Sequence, residues 1–404
     1  MSEERLAVLG AGTMGSGIAQ VAALGGYRTQ LYDAIPAAAE AGAERARAAL
    51  AKGATRGRWS AEEADAAAGR LVPATELGEL AGCVLAIEAA PEDLALKRDL
   101  FAAAAQACGS ETVLASNTSS LRVSEIAVGV PHPERVVGMH FFNPPALMKL
   151  VEVVAAERSA EAPLALATEA ARRMGRTPIR ARDTPGFVAN RLARPFALES
   201  LRILGDEVAD VPRIDRVVRL GGGFRMGPFE LIDLIGLDVN LEIARSFHEQ
   251  AGGLERWRPS PIQERLVAEG RLGRKSGAGY YSYVEGPDAE GGAFPFEYEG
   301  AERDREPLGP TMDPALLAEL DPAAEQILGR LFAQIANEAA FAREEAIASP
   351  EDMETAVRLG LNWPLGPLAV TELIGAARAA ELLSELERER GAAYSPAPLL
   401  LNSR

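Results

Sequence analysis

The chain has 404 residues, with 42 basic and 58 acidic side chains and a formal charge of −16. At about 100–200 residues per domain this length implies two to four units and excludes a peptide-sized module. So acidic a chain also excludes an affinity built on neutralising a phosphate backbone; no nucleic-acid partner is expected, while a local basic pocket for a small anion stays open.

Hydrophobic residues make up 48% of the chain, much of it alanine, and aromatics only 5%, the composition of a helix-rich globular protein. No run approaches the ~18 uninterrupted apolar residues of a membrane span. The first apolar run starts at Leu6, which leaves no room for a signal peptide, so a cytoplasmic protein without membrane contact is expected. Cys83 and Cys108 have neither disulfide-framework nor metal-ligand spacing and read as reduced structural thiols; no metal is expected.

In chain order, Leu6–Leu9 reads as a strand, Gly10 to Gly15 as a turn, Ile18–Ala22 as helix and Thr29–Asp33 as a second strand, together a βαβ unit. Pro36 to about Gly69 has helical composition. The runs Cys83–Ile87, Thr112–Ala115 and Val136–Met139 follow as strands between helical stretches, and Leu150–Val154 is the next apolar run. This alternation predicts a doubly wound, mostly parallel sheet. After Asp183-Thr184-Pro185-Gly186 helical periodicity takes over, and a domain boundary is placed there. A Gly-, Pro- and acid-rich stretch over residues 285–314 reads as a linker.

An internal repeat flanks that linker. Ile214–Gly221 aligns without gaps with Met353–Gly360, and at the same phase Gly227-Pro228 meets Gly366-Pro367, Asp233–Gly236 meets Glu372–Gly375, and Glu199 meets Glu338. The predicted organisation is a dinucleotide domain (1–184), a first helical domain (185–284), a linker (285–314) and a second helical copy (315–404).

Gly10, Gly12 and Gly15, enclosing Thr13 and Met14, form G-x-G-x-x-G between a strand and a helix. Glycine serves the tight turn, the approach of backbone N–H groups to a pyrophosphate, and close helix–strand packing, with the helix N-terminus facing the anion. Asp33 at the end of the second strand suits the adenosine ribose hydroxyls and repels a 2′-phosphate, which favours NAD over NADP.

Three histidines narrow the search for an acid–base group. His132 sits in a proline-bracketed loop and His248 on a helical segment. His140 ends an apolar run, where parallel strands present ligands, although its position alone fits a structural role equally well. Glu152, a carboxylate in an apolar run that needs a partner, supplies the group that would fix the imidazole tautomer and stabilise its protonated form.

With these residues in place the sequence resembles the L-3-hydroxyacyl-CoA dehydrogenases. The resemblance rests on Gly10–Gly15, Ile87-Glu88-Ala89, Ser116–Ser120, His140–Pro144, Met148–Val153, Asp183–Phe187 with Asn190-Arg191, Met226–Glu230 and Gly273–Tyr280, and it covers residues 5–283, the second repeat more weakly. It implies a Rossmann-type α/β sheet followed by two all-α domains like the C-terminal domain of 6-phosphogluconate dehydrogenase. It further implies NAD-dependent oxidation of (S)-3-hydroxyacyl-CoA to 3-oxoacyl-CoA, in fatty-acid or phenylacetate-type catabolism, by a monomer or homodimer.

Carried over by position, His140 is the general base and Glu152 its orienting carboxylate. Ser119 and Asn190 hydrogen-bond the reacting oxygen, Asn143 lines the site, Glu92 matches a position at the nicotinamide-side ribose, and Lys97 one near the cofactor. Lys52, Arg56 and Arg58 are candidates for the CoA phosphates, or equally a solvated helix end. In the second copy Asn190 maps to Gly329 and Pro185–Phe187 to Ala324–Gln326, so that copy is expected to be structural and could replace a dimer partner. The competing readings are a CoA-free, gulonate-type hydroxy-acid dehydrogenase and a crystallin-like NAD-binding protein without turnover; retention of both His140 and Glu152 weighs against the latter.

Overall fold

A computed structural model describes residues 4–283 and 307–402. Most of the predicted linker, residues 285–306, lies outside the described residues. The chain forms two compact units, residues 1–188 with 347–360, and residues 189–346 with 361–404.

The first unit is built on one eight-stranded sheet of order β3-β2-β1-β4-β5-β6-β7-β8. The strands are β1 (Arg5–Leu9), β2 (Arg28–Tyr32), β3 (Leu71–Ala74), β4 (Leu85–Glu88), β5 (Val113–Ser116), β6 (Val136–Phe141), β7 (Leu150–Ala155) and β8 (Thr177–Arg182). Helices α1 (Thr13–Leu24), α2 (Pro36–Thr55), α3 (Ala61–Arg70), α4 (Leu94–Cys108), the single turn α5 (Val123–Ile126) and α6 (Glu161–Arg173) connect them. The central strands are continuous apolar runs because helices cover both faces, as in β1, where Leu6, Ala7 and Val8 are fully buried. The chain reverses strand order on either side of β1, creating the crevice at which such sheets bind ligands.

Two strands appear that the sequence reading does not contain, and both lie at the sheet's edges. β3 carries Pro73 and β8 carries Pro178, residues tolerated where no ladder partner needs the missing N–H. The helical stretch predicted from Pro36 to Gly69 is in fact two helices. Gly57 (φ 67°) turns the chain, Trp59 folds back over Gly53 and donates to the Leu50 carbonyl at 2.8 Å, and a Ser60/Glu63 capping box restarts the helix.

β6 and β7 are antiparallel, unlike the rest of the sheet. Only a short loop joins them, too short for the crossover a parallel pair requires.

The second unit is all helical: α7 (Ala189–Gly205), α8 (Val211–Leu220), α9 (Pro228–Ile235), α10 (Leu237–Gln250), α11 (Pro261–Ala268), α12 (Pro314–Leu320), α13 (Ala324–Glu344), then α15 (Pro367–Ile374), α16 (Ala376–Arg390) and α17 (Pro398–Leu401). The intervening α14 (Pro350–Gly360) belongs to the first unit, where it packs on β7 and β8. There the Ile347 carbonyl accepts from Arg182 N–H at 2.8 Å, and Gly360 lies so close to Leu150 that a Cβ would stand 2.7 Å from its methyl group.

Under the internal sequence alignment α8, α9 and α10 fall on α14, α15 and α16. In the second unit α7 packs on α13 through reciprocal ion pairs. Arg191 donates to Glu338 at 2.8 Å and to Glu345 at 2.6 Å; its counterpart Arg330 donates to Glu199 at 2.7 Å and to Asp206 at 2.7 Å. Each arginine thus binds the acids that the alignment makes equivalent on the opposite helix, the pattern of an interface related by a two-fold axis. Trp257 Nε1 adds a bond to Glu338 and the Tyr394 hydroxyl one to Glu199. Burial pushes the Glu199 carboxyl up, against the pull of Arg330 and Arg202.

Arg330→Met should therefore leave Glu199 buried without its main cation and lower unfolding free energy by about 3–5 kcal/mol. Arg258→Ala, which breaks an exposed, solvent-screened pair with Glu255, should leave it essentially unchanged. Urea denaturation of the two variants measures the difference.

Candidate functional site

The glycine turn between β1 and α1 divides its three glycines by purpose. Gly10 has φ 104°, and a Cβ there would stand 2.6 Å from the Ala89 carbonyl oxygen; a Cβ on Gly15 would stand 1.7 Å from the Gly10 carbonyl oxygen. Those two are required by the fold itself. Around a Gly12 Cβ there is nothing within 4 Å, so the bare backbone at the start of α1 faces open space, as a cradle for a pyrophosphate requires. Asp33, just beyond β2, accepts from Ala11 N–H at 2.9 Å and from Ile35 N–H at 3.0 Å, which ties the carboxylate to the turn. Thr13 is exposed and Met14 half-buried. Nothing in the sequence marks Arg45, which donates to the Ala11 carbonyl from the face of α2.

Beyond β4, Lys97 is almost fully buried. Its ammonium binds Glu88 at 2.6 Å, Glu92 at 3.2 Å and the Ala90 carbonyl at 3.2 Å. An ammonium has three donors, so Lys97 has none left for a cofactor and acts by holding Glu92. One oxygen of Glu92 accepts from the Thr118 and Ser120 hydroxyls and from the backbone N–H groups of Ser119 and Ser120, the last two at 3.0 Å. Burial raises the Glu92 carboxyl, but Lys97 and the hydroxyl and amide donors outweigh it and hold the group below the ordinary carboxylate range. The result is a fixed loop after β5 that leaves the Ser119 side chain exposed.

His140 and Glu152 are directly opposite partners in the β6–β7 register. Facing residues of an antiparallel pair share one side of the sheet, and here Nδ1 of His140 lies 2.6 Å from Oε2 of Glu152. Glu152 is fully buried, and its other oxygen accepts from Val188 N–H at 3.0 Å. Against an ionised carboxylate, which only accepts, Nδ1 carries the proton and Nε2 is the basic nitrogen; among the described residues the Glu152 contact is the imidazole's hydrogen bond. Phe142 and Phe187 flank the imidazole, with ring centroids at 4.5 and 5.8 Å. Phe187 has φ 50°, a strained value for a bulky residue, and this turn aims Val188 N–H at Glu152. Asp183 anchors the turn by accepting from Val123 and Ser124 N–H at 2.9 and 2.7 Å. Asn143, in the loop after β6, is exposed, while Asn117 Oδ1 accepts from Phe141 N–H at 2.8 Å.

The other predicted residues lie apart. Asn190 is in the first turn of α7, in the second unit. Lys52, Arg56 and Arg58 are exposed around the end of α2, and the break in the helix puts Arg56 and Arg58 on a turn. His132 pairs with Glu134 at the surface, and His248 faces the Leu254 carbonyl at 3.1 Å. Cys83 and Cys108 are free and buried. No group of ligands suited to a metal ion occurs among the described residues, nor any helix long and apolar enough to cross a membrane.

The family model for the NAD binding domain of 3-hydroxyacyl-CoA dehydrogenase matches residues 5–184, and that for the family's C-terminal domain matches residues 186–283 and again 327–403. A 3-hydroxyadipyl-CoA dehydrogenase of Escherichia coli is 36% identical, covering 98% of this chain and 96% of that protein. A probable 3-hydroxybutyryl-CoA dehydrogenase of Bacillus subtilis is 40% identical over 70% of this chain and 99% of its own. The crystal structure of 3-hydroxybutyryl-CoA dehydrogenase from Escherichia coli K12 superposes with a TM-score of 0.86 at 35% identity, covering 100% of this chain and 98% of that one. The chain belongs to the 3-hydroxyacyl-CoA dehydrogenase family.

Proposed function

We propose that this enzyme oxidises (S)-3-hydroxyacyl-CoA to 3-oxoacyl-CoA with NAD, His140 being the general base. The observation that carries the proposal is the His140–Glu152 pair, a buried carboxylate on Nδ1 that leaves Nε2 as the proton acceptor. Nε2 takes the proton of the 3-hydroxyl, and Glu152 stabilises the imidazolium that forms. Ser119, on the loop that Glu92 fixes, and Asn190 hold the reacting oxygen, while Asn143 lines the site.

NAD, when bound, supplies the acceptor for the hydride leaving C3. Its pyrophosphate fits the open backbone at Gly12, and Asp33 suits the adenosine ribose while disfavouring a 2′-phosphate. Lys52, Arg56 and Arg58 remain the proposed contacts for CoA phosphates, since all three are exposed cations in an acidic chain.

We also read residues 185–284 and 315–404 as two copies of one helical domain on either side of the 285–314 linker. The double match of the C-terminal family model and the reciprocal arginine–acid pairs support this. In this reading the second copy can take the place of a dimer partner, in a monomer or a homodimer. The free, reduced thiols fit a cytoplasmic setting.

His140→Ala should keep NAD affinity and lose about 10²–10⁴ in kcat, followed as loss of NADH absorbance with acetoacetyl-CoA. Near-normal turnover in that variant overturns the assignment. Glu152→Gln should also depress kcat strongly, because an amide no longer enforces the tautomer. The glycines separate fold from ligand: Gly12→Ala should cost about 1 kcal/mol of stability or less yet weaken NADH binding, whereas Gly15→Ala should impair folding itself. Denaturation and NADH fluorescence titration read the two effects separately.

A further inference from the structure

Arg194 lies on α7, one turn beyond Asn190, and is buried with only 7% of its surface exposed. Its Nε and Nη1 are shut away from solvent without a hydrogen-bond partner. The other buried arginines among the described residues all hold oxygen partners: Arg135 bonds carbonyl oxygens through Nη1 and Nη2 although its Nε is unpaired, and Arg191 and Arg330 bind carboxylates. The guanidinium of Arg194 has only the face of the Phe247 ring, 5.2 Å from its centroid, and a ring face is a far weaker partner than an anion. Burial alone pushes Arg194 down to about 10, with no nearby carboxylate to raise it, so the group is still charged at neutral pH.

The second helical copy supplies an internal control. Arg191 and Glu199, which hold α7 to α13, have the counterparts Arg330 and Glu338. Asn190 and Arg194 do not: their positions are Gly329 and Ala333. If Arg194 served only the packing of the bundle, the copy that keeps the packing would have reason to keep it. Instead it is replaced together with the residue proposed to hold the substrate oxygen. Residues i and i+4 share one helix face, about 6 Å apart along the axis. A short acyl chain that followed this face of α7 from Asn190 would bring its far end to Arg194.

We propose that Arg194 binds a carboxylate at the far end of the acyl chain, which makes the preferred substrates 3-hydroxyacyl-CoA thioesters of short dicarboxylic acids. This rests on the function proposed above, through the role given to Asn190. A guanidinium with unpaired donors in a buried site offers a charge-assisted, two-pronged contact to such a carboxylate, and a methyl-ended chain leaves those donors unsatisfied.

The test uses the full chain and compares kcat/KM for 3-hydroxyadipyl-CoA and 3-hydroxybutyryl-CoA in the wild type and in Arg194→Met, which keeps the volume of the stem. The wild type should favour the diacid, and the substitution should lower the diacid-to-monoacid ratio by about 100-fold, with Arg194→Lys between the two. An unchanged ratio overturns the proposal. A second measurement needs no variant: adipyl-CoA should bind the wild type at least about 10-fold more tightly than hexanoyl-CoA, and equal affinities overturn the proposal as well. Turnover of neither hydroxyacyl substrate with NAD would instead overturn the underlying reaction, while the paired affinities still decide the role of Arg194.

Discussion

The single antiparallel step in an otherwise parallel sheet is the constraint on which the site depends. With a helix between them, β6 and β7 would run parallel, and the pairing of their residues would be set by a long connection. The short loop forces the reversal and fixes the register, and in that register His140 stands across from Glu152. A slip of one residue would put the carboxylate on the other side of the sheet. The Phe187 turn then adds Val188 N–H to the second carboxylate oxygen, so the orienting group is itself oriented.

Much of this was legible in the sequence because the chemistry is local. The glycine turn, Asp33 and the strand ends carry their meaning within a few residues, and a carboxylate inside Leu150–Val154 announces a need for a partner. What was not legible depends on distant segments. β3 and β8 are proline-bearing edge strands that become strands only because a neighbour offers hydrogen bonds. Lys97 matches a position near the cofactor, and only the fold shows that Glu88, Glu92 and a carbonyl consume its donors. The helical stretch after Pro36 is interrupted by Trp59 closing on Gly53, a contact that helix propensity does not register.

The aligned helical segments hold constant what packs and vary what does not. The arginine–acid pairs of α7 and α13 recur because each buried charge would be stranded without its counterpart, and neither copy can lose its member alone. No such reciprocity protects Asn190 or Arg194, whose positions in the second copy have shrunk to glycine and alanine.

The placement of α14 bears on what the C-terminal residues do for the first unit. Here one helix of the later copy has become the cover of β7 and β8, its Gly360 seated on Leu150 and on Phe142, the ring beside the His140 imidazole. Deleting the copy would bare an apolar sheet face next to the histidine it supports. Residues 347–360 are therefore part of the first unit's own architecture, and a chain cut before them would lack a piece of the wall behind β7 and β8.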